Sequence, residues 1–375
     1  MTVTQLTYFG ILRAPTSWAK VCRELVHALA HMDVDLNVFE RKGFLYDATF
    51  DIPDIVEERI DNQFRDDVVF TFEHPSTYHM LEGKFKVGIL TYESTVVPPL
   101  WIEEANKHLD LLLVSSTFCR DIFVQCGMDD EKIDILHYGY DPEIYTPSGP
   151  KRDLSGQTQK NFKFLAVASP HKRKGLETLL QAYRNAFTKD DDVVLLVKIN
   201  YVPKKKGKPF EYRDIHGMFS DYRKDASAPE VLLMDTFFSE QDIAALYRSA
   251  NCLVSATRGE GFGMVYLEAL ACGLPVMVTG WSGHMDFLNH QNATLVEYRL
   301  RTAGEIQYDC NSKKARIAEP DVHDFSRKLF LAMKNPKTIR YAPAEERFQW
   351  RHLARHFLET IDTHLAKSAS VGSET

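Results

Sequence analysis

The sequence predicts an α/β protein made of two doubly wound, Rossmann-like domains. Short apolar runs of strand length alternate with longer amphipathic segments, the pattern of a parallel sheet covered by helices on both faces. A polar stretch at residues 146–160 interrupts the alternation, and a second series of the same kind follows it. The length of 375 residues suits two domains of ordinary size.

In the first series Val3–Phe9 reads as a strand and Ser17–Met32 as a helix with Val21, Leu25, Ala28 and Leu29 on one face. Strand-like runs recur at Val34–Phe39, Val68–Phe72, Lys86–Thr91, Leu111–Ser115 and Ile133–His137. The stretch TPSGPKRDLSGQTQK is rich in Pro, Gly, Ser and charge and reads as a linker, giving domains at 1–155 and 156–343. Beyond it Phe162–Ala168 is a strand, Leu176–Phe187 a helix and Val193–Ile199 a strand. Val231–Met234 is the next strand, then a helix over Gln241–Ala250 in which Ser239 and Asp242 can form a capping box. Cys252–Ala256, a helix from Met264, Val276–Thr279, Thr294–Tyr298 and a helix near Asp321 complete the set. Arg299–Pro320 shows little periodicity and is expected to be loop. A last helix over 344–366, with Leu353, Phe357 and Ile361 on one face, is expected to pack back on the first domain. Residues 367–375 read as a disordered tail.

Composition narrows the function. Hydrophobic residues make up 44% and charged residues 26%, a globular balance. The net charge of −7 comes from interleaved signs, which argues against a nucleic-acid partner. The basic run Lys204–Lys206 with Lys208 stands beside Pro203 and Gly207 and reads as a surface loop. None of the six cysteines forms a C-x-x-C pair, so no zinc site is expected and a reducing, cytoplasmic compartment fits. The start MTVTQLTYFGILRAP lacks signal-peptide character, and no window reaches the ~18 to 20 apolar residues that span a bilayer. A nicotinamide dehydrogenase would carry G-x-G-x-x-G after the first strand, which YFGILRAPTS does not supply.

The densest chemistry lies in SATRGEGFGMVYLEALACGLPVMVTGWSG. A strand ends in a loop carrying Glu260, Gly261, Phe262 and Gly263, and a helix starts at Met264. Glycines let the backbone approach a ligand, and the N–H groups and dipole at a helix start suit a diphosphate. Glu260 and Glu268 flank that cradle, and a carboxylate can accept from both members of a vicinal diol, whether of hexose or ribose.

The segment E-G-F-G-M-V-Y-L-E-A-L-A-C-G-L-P-V closely resembles the E-x7-E signature of the family 4 retaining glycosyltransferases of GT-B fold, two Rossmann-like domains facing a central cleft. The resemblance covers about residues 1–365. It implies that Glu260 contacts the donor hexose, that Glu268 binds the ribose, and that backbone near Gly263, Met264 and Val265 holds the diphosphate. Lys174–Gly175 matches the family's Lys-Gly after the first strand of the second domain. The family's Arg at the end of that strand is missing, Ala168 and Ser169 standing there, with Arg173 or Lys198 as substitutes. Thr236, Phe237 and Phe238 resemble the nucleobase loop, and Ser282 and Gly283 lie within reach of the ligand. Gly10 matches the phosphate-approaching loop of the first domain. TYEST places Glu93 where many relatives carry a cleft His, as an acceptor-binding or tuning group; His74 is a second polar strand end. In HYGYDPEIY, Tyr140 and Asp141 are expected hinge or cap residues.

The resemblance therefore implies transfer of a hexosyl group from a UDP-, GDP- or ADP-hexose to a hydroxyl of a glycan or lipid-linked acceptor, with retention, no metal and no cofactor. A helix carrying Lys20 and Arg23 offers peripheral contact with the inner membrane surface, or simply packs on the core. A sugar-nucleotide epimerase or hydrolase of the same fold, and a catalytically weak sugar-nucleotide-binding protein, stay open.

Overall fold

The computed structural model describes residues 3, 5–43, 46–65, 67–199, 215–304 and 313–371. The basic run at Lys204–Lys206 and Lys208, Cys310 and residues 372–375 lie outside them. The chain divides into two compact units, one of Met1–Tyr92, Val96–Gly139 and Glu345–Thr375, the other of Glu93–Thr95 and Tyr140–Ala344.

The first unit contains β1 (Gln5–Gly10), α1 (Ser17–Ala30), β2 (Asp35–Glu40), α2 (Asp54–Glu57), β3 (Val68–Thr71), β4 (Phe85–Leu90), α3 (Pro99–His108), β5 (Leu111–Val114), α4 (Thr117–Gln125) and β6 (Ile133–Ile135). The strands pair in parallel in the order β2-β1-β3-β4-β5-β6. Every residue of β3 and β5 is buried, which is why these runs are apolar without alternation. Thr16 caps α1 by accepting from the Ala19 N–H.

The second unit contains β7 (Phe162–Ala168), α5 (Leu176–Ala186), β8 (Val193–Ile199), α6 (Ile215–Arg223), β9 (Glu230–Met234), α7 (Glu240–Ser249), β10 (Cys252–Ser255), α8 (Met264–Ala271), β11 (Val276–Thr279), β12 (Thr294–Val296), β13 (Tyr298–Thr302), β14 (Arg316–Pro320) and α9 (Val322–Lys334). Its parallel sheet runs β12-β11-β10-β7-β8-β9. The expected capping box of α7 forms, with Ser239 and Asp242 bonding each other's backbone N–H. In this order the chain reverses direction across the sheet between β7 and β10. Ligands of such sheets bind at that reversal, outside the carboxyl ends of the strands.

Three expectations change. Arg299–Pro320 is not all loop, because β13 pairs antiparallel with β14 from Tyr298↔Pro320 to Thr302↔Arg316. All five residues of β13 are exposed, so no core-facing stripe marks it in the sequence. The polar stretch 146–160 does not divide the chain: the Arg152 N–H donates to Ala245 O and Ser249 Oγ inside the second unit, and the division falls between Gly139 and Tyr140. The last helix, α10, spans Trp350–Val371 rather than 344–366. No Gly or Pro lies between Trp350 and Val371 to stop it. It belongs to the first unit and packs on α1, with the Phe357 ring tilted against Phe70, centres 5.0 Å apart.

Candidate functional site

The loops after β7 and β10 lie against each other at the strand-order reversal. After β7 the chain makes one 3-10 turn, Lys172–Lys174, and passes through Gly175 at φ 62° into α5. A Cβ on Gly175 would stand 2.1 Å from the Ala256 carbonyl oxygen, so only glycine allows this approach. The Arg258 N–H donates to Arg173 O at 2.8 Å and joins the two loops.

Glu260 sits where they meet and is 5% exposed. Lys174 Nζ donates to both carboxylate oxygens at 2.7 and 2.8 Å. Arg173 Nη1 donates to Oε2 at 3.2 Å, Thr257 Oγ1 to Oε1 at 3.0 Å and Tyr266 OH to Oε1 at 3.1 Å. Burial by itself would raise the carboxyl pKa, but the Lys174 and Arg173 charges outweigh it and bring it down to about 2. Burial and Arg173 draw the Lys174 ammonium down against the upward pull of Glu260. His171, on the same turn, is held down at about 4 by burial and these cations. Arg173 Nη2 pairs with Glu93 Oε1 at 2.9 Å, so charges alternate in the order Glu93, Arg173, Glu260, Lys174.

A third loop, after β11, grips the same carboxylate residue. The Glu260 N–H donates to Ser282 Oγ at 2.8 Å, and the Gly283 N–H to Glu260 O at 2.9 Å. Ser282 holds φ 88°, a left-handed conformation that non-glycine residues seldom take. His284 is fully buried behind this loop. Its Nε2 lies 2.8 Å from Thr279 O and therefore carries the proton, leaving Nδ1 as the acceptor nitrogen. Beneath the loops lies Arg258, 3% exposed. It binds Glu319 of β14 with Nε and Nη2 at 2.9 and 3.0 Å, and also reaches Glu177 at 3.0 Å, Thr178 at 2.9 Å and Lys172 O. The Ala318 N–H donates to Arg258 O. The hairpin β13–β14 is thus pinned to the base of the site. Sequence reading missed Arg258 and Glu319, because their partnership spans a stretch without periodicity.

Gly263, at φ 94°, leads into α8, and a Cβ there would meet Tyr266 at 2.6 Å. The first N–H groups of α8, from Met264 and Val265, have no carbonyl one turn earlier in the helix to bond, and both residues are half-buried. Phe262 is buried and packs against Phe287 with ring centres 5.0 Å apart, so its ring belongs to the packing. Glu268 lies in the second turn of α8, 4% exposed, and accepts from the Tyr247 hydroxyl at 3.1 Å.

The other candidates are placed as follows. Lys198, at the end of β8, donates to Ile199 O at 2.5 Å and lies 4.9 Å from the Phe238 ring centre; its bonds do not go to Glu260. Burial draws its pKa down to about 8. Of the two, Arg173 is the one that lies beside the Glu260 carboxylate. Phe238 is held between Lys198 and Arg152, whereas Phe237 is 65% exposed and Thr236 is exposed beside it. Asp141 caps its own turn by accepting from the Glu143 N–H. In the first unit the strand order reverses between β1 and β3. Gly10 ends β1, and the next N–H, of Ile11, donates to Glu73 Oε1 at 3.1 Å. Glu73, not the neighbouring His74, faces that point; Arg41 pairs with it at 3.3 Å, and burial raises its pKa. His74 caps the turn at Pro75 by accepting from Ser76 N. Among the described residues no His, Cys, Asp and Glu cluster could hold a metal, and no helix is long and apolar enough to cross a membrane. A groove of about 940 Å³ on the second unit runs beside β12 and α9, and none of these site residues lines it.

Known proteins resemble this chain in two ways. Residues 161–303 match the family model of Glycosyl transferases group 1. D-inositol 3-phosphate glycosyltransferase of Paenarthrobacter aurescens is 28% identical over 213 residues, covering 55% of this chain and 50% of its own. Its namesake from Pseudarthrobacter chlorophenolicus is 26% identical over 228 residues, covering 58% and 52%. The chain thus spans about half the length of the curated relatives it matches. Among solved structures, Anabaena HepE in complex with UDP and glucose has a TM-score of 0.67 at 14% identity, covering 96% of this chain and 100% of its own. Sucrose-phosphate synthase from Thermosynechococcus elongatus has a TM-score of 0.73 at 15% identity, covering 97% and 100%. The fold is that of the GT-B glycosyltransferases, and over residues 161–303 the second unit carries the sequence pattern of the group 1 glycosyl transferases.

Proposed function

We propose that the protein transfers a hexosyl group from a nucleotide-diphosphate sugar to an acceptor hydroxyl, with retention of configuration and without a metal ion. The observation that carries this reading is the buried, ionised Glu260 held between Lys174 and Arg173 at the strand-order reversal, one loop away from the start of α8. A carboxylate kept charged by its neighbours is suited to accept from sugar hydroxyls. The two cations are suited to the charge that grows on a departing diphosphate, and the Met264 and Val265 N–H groups to its oxygens.

In the donor complex the ammonium and guanidinium turn from Glu260 towards the diphosphate, which frees the carboxylate for the hexose. Glu268 takes the ribose, with Tyr247 fixing its carboxylate. Thr236 and the exposed Phe237 receive the base, Phe262 and Gly263 shape the cradle, and Lys198 adds positive charge from the β8 end. Gly10 ends β1 of the first unit, whose role is to bind a glycan or lipid-linked acceptor. The leaving phosphate oxygen takes the acceptor proton, so the protein supplies position and charge, not a covalent nucleophile. UDP is the favoured nucleotide, since HepE is a UDP and UDP-glucose complex in the solved relatives. Membrane contact through α1 gains no support: Arg23 donates to Leu12 O and Ala14 O.

The test is nucleoside diphosphate release from UDP-, GDP- and ADP-hexoses in excess chelator, with and without sugar and lipid acceptors, the product anomer being assigned by NMR. Acceptor-dependent release with the donor's anomeric configuration is expected, and Lys174→Ala should lower kcat by roughly 10²–10³-fold. Release of free sugar without an acceptor would instead identify an epimerase or hydrolase. Activity that chelator abolishes and Mg2+ restores would contradict the metal-free reading.

A further inference from the structure

The pairing of Arg173 with two carboxylates has a consequence for how tightly the site holds its nucleotide. Nη1 of Arg173 is directed at Glu260 Oε2, 3.2 Å away, and Nη2 at Glu93 Oε1, 2.9 Å away. Nη1 also donates to Gly259 O. Glu93 backbone sits tightly against the same loop, since a Cβ on Gly259 would stand 2.3 Å from Glu93 O. The neighbouring Thr95 exchanges two hydrogen bonds with Arg316 of β14. Glu93 is therefore fixed by backbone on both sides, and its side chain is 21% exposed.

With Lys174 and Arg173 against Glu260 and Glu93, the cluster carries no net charge before any ligand arrives. A diphosphate brings two negative charges, and Glu260 is needed by the hexose. Glu93 is the one acid of the cluster with no assigned partner on the donor. We propose that Glu93 is a positioning and counter-charge residue that holds Arg173 in place and weakens its grip on the nucleoside diphosphate, so that the product leaves after transfer. This inference rests on the donor reading above. It gives Glu93 a role towards the donor's phosphates, acting through Arg173, rather than towards the acceptor.

The sign follows from Coulomb's law. Freeing the Arg173 guanidinium from one of its two carboxylates, in a partly solvated site, should tighten its hold on a diphosphate by roughly five- to ten-fold. Gln at 93 keeps an oxygen for Nη2 and removes only the charge. Calorimetric titration of UDP, GDP and ADP into wild type should find the nucleotide that binds. That nucleotide should bind roughly five- to ten-fold tighter to Glu93→Gln, less so as ionic strength rises, and kcat should fall while the acceptor KM stays put. In an Arg173→Ala background the Glu93→Gln gain should vanish, a coupling that a purely structural role would not produce. Unchanged nucleotide affinity with a raised acceptor KM would overturn the proposal and return Glu93 to the acceptor. Failure of wild type to bind any nucleoside diphosphate would sink the donor reading itself, and this inference with it.

Discussion

Glu260 takes hydrogen bonds from Lys174, Arg173, Thr257 and Tyr266 while almost wholly buried, so its charge is set by neighbours and not by solvent. Its pKa of about 2 lies below that of an unfolded chain, roughly 4.3. A carboxylate shifted in this direction adds stability that is fully present above the unfolded pKa and is lost as the pH falls towards the folded one. In Glu260→Gln this contribution is absent, and Lys174 is left buried beside an amide. The variant should be less stable than wild type at neutral pH by urea denaturation, with the gap narrowing between about pH 4.5 and pH 2. A gap that stays constant over that window would mean that the carboxyl is not charged in the folded protein. Residue chemistry of this kind was half legible in the sequence. Glu260 and Lys174 stand out by their spacing from glycines, and the structure brings them into direct contact. Arg173 could only be narrowed to one of two substitutes, because the choice depends on which side chain turns back over the loop. Glu73 was hidden by its neighbour His74, since nothing in VVFTFEHP tells which of the two faces the end of β1.

Among the elements, the two glycine-dependent loops and the hairpin β13–β14 act as one support. Gly175 brings the turn after β7 onto the Ala256 carbonyl, and Arg258 ties that turn to β14. A guanidinium this buried, bidentate to Glu319 and bonded to Glu177, leaves uncompensated charge when it is removed. Arg258→Met should therefore cost roughly 3–5 kcal/mol in denaturant unfolding. A loss below about 1 kcal/mol, the scale of a surface pair, would contradict the hub. Gly175→Ala should be at least as harmful to turnover as to folding, because the β7 loop can avoid the clash only by lifting Lys174 away from Glu260. Far-UV circular dichroism alongside turnover separates the two effects. The strands of both parallel sheets and helices α1, α5, α7 and α8 were readable from periodicity to within a few residues at most ends, whereas α2, α3, α4 and α6 were not assigned. The hairpin was not, because β13 faces solvent along its whole length and its partner lies beyond a stretch without pattern. The end of α10 escaped for a related reason: a weakly apolar sequence without Gly or Pro continues a helix as well as it forms a tail.

At the scale of the molecule, two doubly wound sheets were legible because parallel strands buried on both faces give runs that are apolar throughout. The division between the units was not, since a stretch rich in Pro, Gly and Ser can lie along a surface as easily as it can link. The strand order of the second unit, reversing between β7 and β10, is what brings the Lys174 and Glu260 loops together. It ties the function to the sheet and not to any single motif. The claim on which the rest depends is that Glu260 reads the hexose while the cations read the phosphates. The direct measurement compares, by calorimetry in chelator, the affinities of the nucleoside diphosphate and its sugar nucleotide for wild type and Glu260→Gln. The account predicts that the variant holds the bare nucleotide at least as tightly as wild type, its cations having been released, yet loses the added affinity that the sugar confers. Equal affinities of both ligands for wild type and variant would contradict it.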